Sequence, residues 1–308
     1  MSKKAFLFPG QASQSVGMGL DFYHRSAIGA RLYEQAETQF DFSLKNVSFY
    51  GPLSKLTETK ITQPAIYVLS IIIFEELRKR GIYPDAVAGH SLGEYTACVA
   101  AGCLDFNAGL RLVKCRAEQM QLASEATQGT MAAVVGLDYS RIEAIIKDSG
   151  FADRCTIANH NSPNQLVISG EITAVQSIML AVKQAGAKRV IELTVGGAFH
   201  SPLMAIAGKE LQSELSRTHF QPPATPLYCN VSGAATNNPR QIRDLLYRQL
   251  TSPVLWVKTI EAMQNDGITT FIEVGPGTVL QGLVKRIAPN AVVTGVATFD
   301  ELEAFQCN

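Results

Sequence analysis

The sequence of 308 residues lacks an excess of charge of either sign, since 27 lysines and arginines are balanced by 27 aspartates and glutamates. A chain without net charge creates no global field that would attract nucleic acid, so no nucleic-acid partner is predicted. Long apolar segments are also lacking. The most apolar run, from Ile66 to Phe74, spans only about half a membrane and is followed by charged residues. No membrane partner is predicted.

Cysteine motifs are a third absence. The six cysteines form no CxxC pair and show no metal-like clustering with the five histidines. The cysteines are Cys98, Cys103, Cys115, Cys155, Cys229 and Cys307. This pattern favours buried thiols in a reducing compartment, and neither a metal nor a redox cofactor is predicted. The apolar residues 5–8 before Pro9 are too few for a signal peptide, so a cytoplasmic protein is predicted.

What the chain does contain is the pattern of a globular α/β protein, with 46% hydrophobic and 18% charged residues. Buried strands are predicted at 5–8 and 84–88. A long helix is predicted to begin at Thr62, as its N-cap, or at Pro64 and to end at Arg80. Further helices are predicted at about 28–39 and 105–123. This order predicts an α/β-hydrolase-like large domain with a parallel sheet wrapped by helices.

The texture of the sequence changes between Gly129 and Gly196. Strands are predicted at 130–136, 156–159, 165–169 and 188–194, with helices at 140–147 and 173–184. The order β-α-β-β-α-β predicts an inserted ferredoxin-like subdomain at 129–196, and residues 1–128 and 197–308 would form the large domain. A site is expected in the cleft between them. In the later part of the large domain, strands are predicted at 227–230 and 269–274. Helices are predicted at 202–217, 239–250 and 254–265, and a last helix follows Gly277 and ends at Arg286.

The segment 89–93 has the pattern G-x-S-x-G, with Ser91 at its centre. It lies between a predicted strand and an alanine-rich predicted helix, which is the context of a nucleophile elbow. In such an elbow the serine hydroxyl projects from a strained turn, and the glycines allow the strand and the helix to approach closely. The N–H of Leu92 would then point at an oxyanion formed on acylated Ser91. The alternative is a small-residue turn without a catalytic role.

A serine nucleophile needs a base, and His200 is the favoured candidate among the five histidines. It lies in a glycine-rich junction where the chain re-enters the large domain, whereas His90 is inside the elbow with its ring expected to point away from the serine hydroxyl. His24 and His219 are expected on exposed helical segments. No acid is found in an obvious position to orient His200. The residues leave open whether an acid or a carbonyl oxygen performs that task.

Arg116 is the remaining candidate. Its helix also carries Arg111 and Lys114, so a solvated basic face is one interpretation. The small and apolar neighbours of Arg116 indicate instead a packed turn, in which a buried guanidinium needs a carboxylate partner. That partner could be the carboxylate of a substrate or an internal aspartate or glutamate.

Several motifs, in order across nearly the whole chain, resemble those of the malonyl-CoA:acyl carrier protein transacylases, which include the acyltransferases of polyketide synthases. The matching segments are Phe8-Pro9-Gly10-Gln11 with Gly17-Met18-Gly19, Gly89-His90-Ser91-Leu92-Gly93-Glu94, Arg116 with Met120, Asn161-Ser162-Pro163-Asn164-Gln165, Ala198-Phe199-His200-Ser201, Gln249-Leu250 with Pro253-Val254 and Trp256, and Glu273-Val274-Gly275-Pro276-Gly277. One such motif would be weak, but the ordered set is highly specific.

The resemblance implies a role for seven of the matching residues. Ser91 would be acylated, and His200 would be the general base and then the general acid. The backbone N–H groups of Gln11 and Leu92 would form the oxyanion hole. The remaining roles concern orientation and selectivity: the main-chain carbonyl of Gln249 would orient the histidine, Arg116 would bind the malonyl carboxylate, and Phe199 would favour malonyl over branched acyl units.

The implied activity is ping-pong transfer of malonyl from malonyl-CoA to the phosphopantetheine thiol of an acyl carrier protein, with no metal or cofactor. The chain ends soon after its last strand, so a free-standing enzyme is expected. It would serve fatty acid synthesis or a polyketide synthase, with a slight lean toward the latter. The alternatives are an acyl hydrolase or proofreading thioesterase acting on the carrier protein, an acyltransferase for another acyl unit, and a non-catalytic docking subunit.

Overall fold

The computed structural model describes residues 2–306. Cys307, predicted to be a free thiol, lies outside these residues. The strands are β1 (Lys3–Phe8), β2 (Ala86–Gly89), β3 (Gly129–Val135), β4 (Cys155–Ser162), β5 (Gln165–Glu171), β6 (Arg189–Glu192), β7 (Leu227–Cys229), β8 (Ala234–Thr236), β9 (Ile268–Val274) and β10 (Val292–Val296).

The helices of the first half are α1 (Leu20–Arg25), α2 (Ala27–Glu37), α3 (Leu44–Tyr50), α4 (Leu53–Leu56), α5 (Thr59–Lys79), α6 (Gly93–Ala100) and α7 (Phe106–Ala126). Those of the second half are α8 (Tyr139–Asp148), α9 (Ile172–Gln184), α10 (Gly208–Arg217), α11 (Pro239–Arg248), α12 (Trp256–Asn265), α13 (Val279–Ile287) and α14 (Phe299–Ala304). Two 3₁₀ helices, Pro202–Ala207 and Gln249–Thr251, adjoin α10 and α11.

The larger sheet has the strand order β10-β9-β1-β2-β7-β8. Its central strands β1 and β2 pair in parallel, with Phe8 opposite Gly89. The side chains of residues 5–8 are all buried, as expected for a parallel strand covered by helices on both faces. The predicted α/β fold class is confirmed. One edge differs from the prediction, because β8 runs antiparallel to β7 after a tight turn.

The second sheet is antiparallel, with the order β4-β5-β3-β6. Together with α8 and α9 it follows the predicted order β-α-β-β-α-β. Its residues enclose a hydrophobic cluster separate from those of the larger sheet, built around Val134, Ile142, Leu166 and Ile178. The first sheet and its helices enclose clusters of their own around Phe6 and Leu7.

Helix α5 begins earlier than the sequence predicts, with Glu58 as its N-cap. The predicted N-cap role of Thr62 is wrong, because Thr62 lies inside α5. Its hydroxyl donates a hydrogen bond to the carbonyl of Leu56, which precedes the helix. Pro64 lies within the helix. His219 is exposed as predicted, but it follows the end of α10 rather than lying on a helix. Among the described residues, no helix combines the length and the apolar character needed to cross a membrane.

Candidate active site

The turn between β2 and α6 presents Ser91 in a left-handed backbone conformation, with φ of 52°. Such a conformation is uncommon for a residue with a side chain and indicates a turn held by its surroundings. Two glycines make the turn possible: a Cβ on Gly89 would lie 1.9 Å from the carbonyl carbon of Gly93, and one on Gly93 would lie 2.0 Å from the carbonyl oxygen of Phe8. The strand, the helix and β1 therefore meet directly behind the serine.

His200 is the histidine that the fold brings to this serine. Its Nε2 lies 2.8 Å from Oγ of Ser91, and its Nδ1 lies 2.8 Å from the main-chain oxygen of Gln249. Since a carbonyl oxygen only accepts hydrogen bonds, the proton of the neutral ring is on Nδ1, and the Nε2 lone pair faces the serine hydroxyl. Of the alternatives left open by the sequence, the orienting group is thus a carbonyl oxygen.

The electrostatic environment keeps His200 neutral. Burial, the largest cause, and the nearby guanidinium of Arg116 together lower its pKa to about 3. An imidazole needs an accessible lone pair to remove a proton, so this neutral form is the one that can accept the proton of Ser91. The backbone of His200 also has a positive φ, 60°, which shows that the ring is presented from a constrained loop.

The other histidines lie elsewhere. His90 turns its Nε2 toward Oδ1 of Asn161 at 2.8 Å, so its ring is directed away from the serine hydroxyl as predicted. His24 is exposed, and His160 packs on the ring of Tyr139 in the smaller sheet unit.

Gln11 follows β1 in the loop that borders the elbow. Its preceding residue is packed on the elbow backbone, since a Cβ on Gly10 would lie 2.6 Å from the carbonyl oxygen of His90. Within the described residues, the backbone N–H groups of Gln11 and Leu92 have no hydrogen-bond partner. Two free N–H groups beside a serine are the donors that an oxyanion hole requires.

Arg116 is completely buried on α7, while Arg111 of the same helix is exposed, so a solvated basic face does not describe Arg116. Its Nη2 donates to Oγ of Ser91 at 2.9 Å. Nη2 also donates to Oε1 of Gln249 at 2.9 Å, and Nη1 donates to Oε1 of Gln63 at 2.7 Å. No carboxylate of residues 2–306 forms a salt bridge with it. No carboxylate of these residues is therefore in direct contact with the guanidinium.

Phe199 is buried next to His200, with 8% of its surface exposed. It forms part of the hydrophobic cluster that also contains Met131 and Val167 of the smaller sheet. The residue predicted to control acyl selectivity thus lies where the two sheets' cores meet, beside the base of the site.

Three residues of the site were missed by sequence reasoning. Gln63 connects the predicted residues, because its Nε2 donates to Oε1 of Gln11 at 3.0 Å while its Oε1 accepts from Arg116. The signal in the sequence was an amide side chain within the largely apolar segment of α5, since a buried amide needs hydrogen-bond partners. Asn230 holds the elbow: its Oδ1 accepts from the N–H of Ser91 at 2.7 Å.

Glu94 is the third missed residue, although it belongs to the quoted motif. It lies in the first turn of α6 and has no exposed surface. Its Oε2 accepts from Nε2 of Gln249 at 2.5 Å and from the N–H of Asn230 at 3.2 Å. Burial raises the pKa of this carboxyl to about 7, while its hydrogen bonds and Arg116 act in the opposite direction.

The arrangement combines a serine hydroxyl on a strained turn, a neutral imidazole, two free N–H donors and a buried cation. Such a set can transfer an acyl group through an ester on the serine, and the cation can hold a negatively charged group attached to that acyl unit. Among residues 2–306, no cluster of three or more His, Cys, Asp or Glu side chains could hold a metal ion.

Known proteins are similar to this chain in both sequence and fold. The acyl transferase domain family matches residues 5–297. A malonyl CoA-acyl carrier protein transacylase of Bacillus subtilis (strain 168) is 41% identical over 288 residues, 93% of this chain and 91% of the relative.

Among solved structures, an acyl carrier protein S-malonyltransferase from Vibrio cholerae has a TM-score of 0.95 at 38% identity, covering 99% of this chain and 100% of the other. A malonyl-transacylase in complex with its type II PKS acyl-carrier protein has a TM-score of 0.94 at 36% identity, with 98% of each chain covered. The resemblance seen in the motifs is confirmed: the chain belongs to the malonyl CoA-acyl carrier protein transacylase family of acyltransferases.

Proposed function

We propose that the protein transfers a malonyl group from malonyl-CoA to the phosphopantetheine thiol of an acyl carrier protein, in two half-reactions at Ser91. One observation carries the proposal. The hydroxyl of Ser91 lies 2.8 Å from the base His200 and 2.9 Å from the buried cation Arg116, which has no carboxylate partner of its own among residues 2–306. An acyl unit formed on this oxygen therefore has a guanidinium beside it, as a dicarboxylic acyl unit requires.

In the first half-reaction, the Ser91 hydroxyl attacks the carbonyl carbon of the malonyl thioester as its proton moves to Nε2 of His200. The carbonyl oxygen becomes negative and is stabilised by the N–H groups of Gln11 and Leu92. The C–S bond then breaks, and the imidazolium returns the proton to the departing CoA sulfur. The main-chain oxygen of Gln249 accepts from Nδ1 throughout and stabilises the imidazolium.

The second half-reaction repeats these steps with the carrier-protein thiol. His200 takes the thiol proton, the sulfur attacks the ester carbonyl carbon, and the proton is delivered to Oγ of Ser91 as the ester bond breaks. No atom changes its oxidation state in either half-reaction, so the proposed chemistry needs no redox cofactor. The serine and histidine supply all the proton transfers, so it needs no metal either.

Arg116 and Phe199 are proposed to choose the acyl unit. Arg116 would exchange its hydrogen bond to the free hydroxyl for contacts with the malonyl carboxylate, which holds the acyl chain in place against reaction with water. Phe199 fills the space beside His200, and this bulk favours malonyl over acyl units with a branch at the central carbon.

The remaining proposals concern context. The malonyl-carrier product would serve fatty acid or polyketide synthesis. A cytoplasmic location is supported by free thiols at five described positions, Cys98, Cys103, Cys115, Cys155 and Cys229. A two-domain division, with 1–128 and 197–308 in one domain and 129–196 in the other, is supported by the two separate sheets.

Intact-mass spectrometry after mixing with malonyl-CoA tests the function. We expect one malonyl adduct, mapped to Ser91 by peptide analysis, and its disappearance when holo acyl carrier protein is added. Ser91→Ala should give no adduct, and Ser177→Ala, on α9, should behave as the wild type. A faster adduct from acetyl-CoA without any malonyl adduct would refute the malonyl assignment. Release of free malonate without transfer would indicate a hydrolase.

Arg116→Ala tests acyl selection. We expect it to lose malonyl transfer while it accepts acetyl-CoA better than the wild type does, since an uncharged acyl unit gains from the loss of a buried cation. Equal losses with both substrates would show that Arg116 only supports the structure.

A further inference from the structure

The buried cation of the site is balanced by a buried carboxylate that does not touch it. Glu94 and Arg116 are both without exposed surface, and the side-chain amide of Gln249 lies between them. Its Oε1 accepts from Arg116 at 2.9 Å, and its Nε2 donates to Glu94 at 2.5 Å. Two opposite charges separated by one amide stabilise each other through space, while the direct partners of the two Nη atoms are uncharged side chains.

The two oxygens of Glu94 have different surroundings. Oε2 accepts from the Gln249 amide and from the N–H of Asn230 at 3.2 Å. Oε1 is buried and accepts from no nitrogen or hydroxyl group of the described residues, and the thiol of Cys229, a weak donor, lies beside the carboxyl. A buried carboxylate oxygen without a donor is costly while the group is ionised. A proton could be added to this oxygen without breaking either hydrogen bond.

The titratable groups that face Glu94 come from three elements. Tyr95 and Cys98 lie on α6 with it, Arg116 lies on α7, and Cys229 ends β7. Burial raises the pKa of the Tyr95, Cys98 and Cys229 side chains, so these three are uncharged at neutral pH. Glu94 and Arg116 are therefore the only pair in this group that carries charge near pH 8.

We propose that Glu94 is the counter-charge of Arg116 while the site is empty and takes up a proton on Oε1 when a substrate carboxylate binds Arg116. This inference rests on the proposed function, which brings a malonyl carboxylate to the guanidinium. The buried site would then hold two carboxylates and one cation, and like charges in a low-dielectric environment favour protonation of one of them. Glu94 has the free oxygen, whereas the malonyl carboxylate has the guanidinium.

The proton comes from solvent when Ser91 is malonylated and returns to solvent when the malonyl group leaves for the carrier thiol. At Glu94 the only bond made or broken in the cycle is this O–H bond. Glu94 thus acts as a positioning residue that keeps the site near neutrality in both states. It holds Gln249, and with it Arg116, in one arrangement throughout the cycle.

The experiment measures proton uptake during malonylation in weakly buffered solution at pH 8 with an indicator dye, with the adduct counted in the same sample by intact mass. For each malonyl adduct formed, the wild type should take up more protons than Glu94→Gln does, and the difference should be at most about one proton. Protons from the released CoA thiol are equal in both samples and cancel. Acetyl-CoA on the wild type should show no such uptake, because no carboxylate reaches Arg116.

Glu273→Gln is the matched control. Glu273 is also buried, and burial likewise raises its pKa to about 7, but it accepts hydrogen bonds from the N–H groups of Leu280 and Gln281 rather than from the site. Its variant should take up protons as the wild type does. Infrared difference spectra of wild type with ¹³C-malonyl-CoA give a second readout, in which an unlabelled carboxylic acid band should appear on malonylation.

The outcomes separate the two proposals. A malonyl adduct with equal uptake in wild type and Glu94→Gln, or without the unlabelled acid band, would overturn the role of Glu94 and leave the transferase function intact. If Glu94→Gln does not fold, the infrared spectrum of the wild type decides. Absence of any malonyl adduct would overturn the proposed function and this inference with it.

Discussion

The main-chain oxygen of Gln249 lies 2.8 Å from Nδ1 of His200. A peptide carbonyl takes the place that an aspartate or glutamate has in a serine-histidine-acid triad. It fixes the ring tautomer without adding a negative charge. Because no carboxylate is there to stabilise the imidazolium, burial and the charge of Arg116 dominate and keep the pKa of His200 low.

The acid limb of the pH–rate profile for acylation, where the rate falls with decreasing pH, should therefore lie well below the ordinary histidine pKa of about 6.5. A base works in its neutral form, which persists above its pKa, and the pKa of His200 is lowered to about 3. We expect the single-turnover rate with acetyl-CoA, followed by quenched mass spectrometry, to stay level from pH 8 to below 6. In Arg116→Ala the limb should move upward, because one cause of the lowering is removed. A limb at 6.5 in the wild type would contradict this account.

Gln63 should control the preference for malonyl over acetyl. In Gln63→Glu a carboxylate replaces the amide oxygen that lies 2.7 Å from Nη1 of Arg116, and this internal partner would compete with the substrate carboxylate. We expect the malonyl-to-acetyl ratio of kcat/KM to fall by at least about tenfold, equivalent to about 1.4 kcal/mol.

Gln63→Leu is the matched variant, since it removes the amide without adding charge. It should lower the same ratio less than Gln63→Glu does. An unchanged ratio in both variants would show that Gln63 has no influence on how Arg116 meets the substrate.

Asn230 should affect both substrates alike. Its side chain accepts from the N–H of Ser91 at 2.7 Å and donates to the carbonyl of Gly89 at 2.7 Å, so Asn230→Ala removes the partner of one part-buried and one buried backbone group. We expect a loss of about 1–3 kcal/mol in the free energy of unfolding, measured by urea titration. The kcat/KM values for malonyl-CoA and acetyl-CoA should fall in parallel. Asn107→Ala, at a partly exposed contact with Gln35, is the control and should change neither.

The glycine before the elbow should not tolerate a side chain. In Gly89→Ala the new Cβ would lie 1.9 Å from the backbone of Gly93, so β2 and α6 would have to move apart. We expect a protein that unfolds at much lower temperature or fails to accumulate. Gly282→Ala, on α13 with nothing within 4 Å of the new Cβ, should instead gain about 0.5–1 kcal/mol in stability. Equal melting temperatures for the two variants would refute the close-contact explanation.

The sequence alone was sufficient wherever the information is local. Apolar runs predicted the central strands, and alternating strands and helices predicted both sheets. Such predictions succeed because a helix or strand with one or two buried faces has apolar residues at regularly spaced positions. Ser91 was evident because an elbow needs its glycines at fixed neighbouring positions. The sequence misplaced one helix boundary: α5 begins at Thr59 because Glu58, and not Thr62, is its N-cap residue.

Only the tertiary structure decided how the site is held together. Gln63, Asn230 and Gln249 lie on elements far apart in the chain, and their roles depend on hydrogen bonds of fixed length between buried polar groups. The spacing of residues along the sequence does not indicate which buried amide contacts which guanidinium. The sequence by itself determined the elbow pattern around Ser91, the fold class and the family resemblance. The placement of Arg116 against Ser91, and of Glu94 one amide behind it, arises from packing that brings distant segments together around buried charges, which polar side chains rather than solvent must then surround.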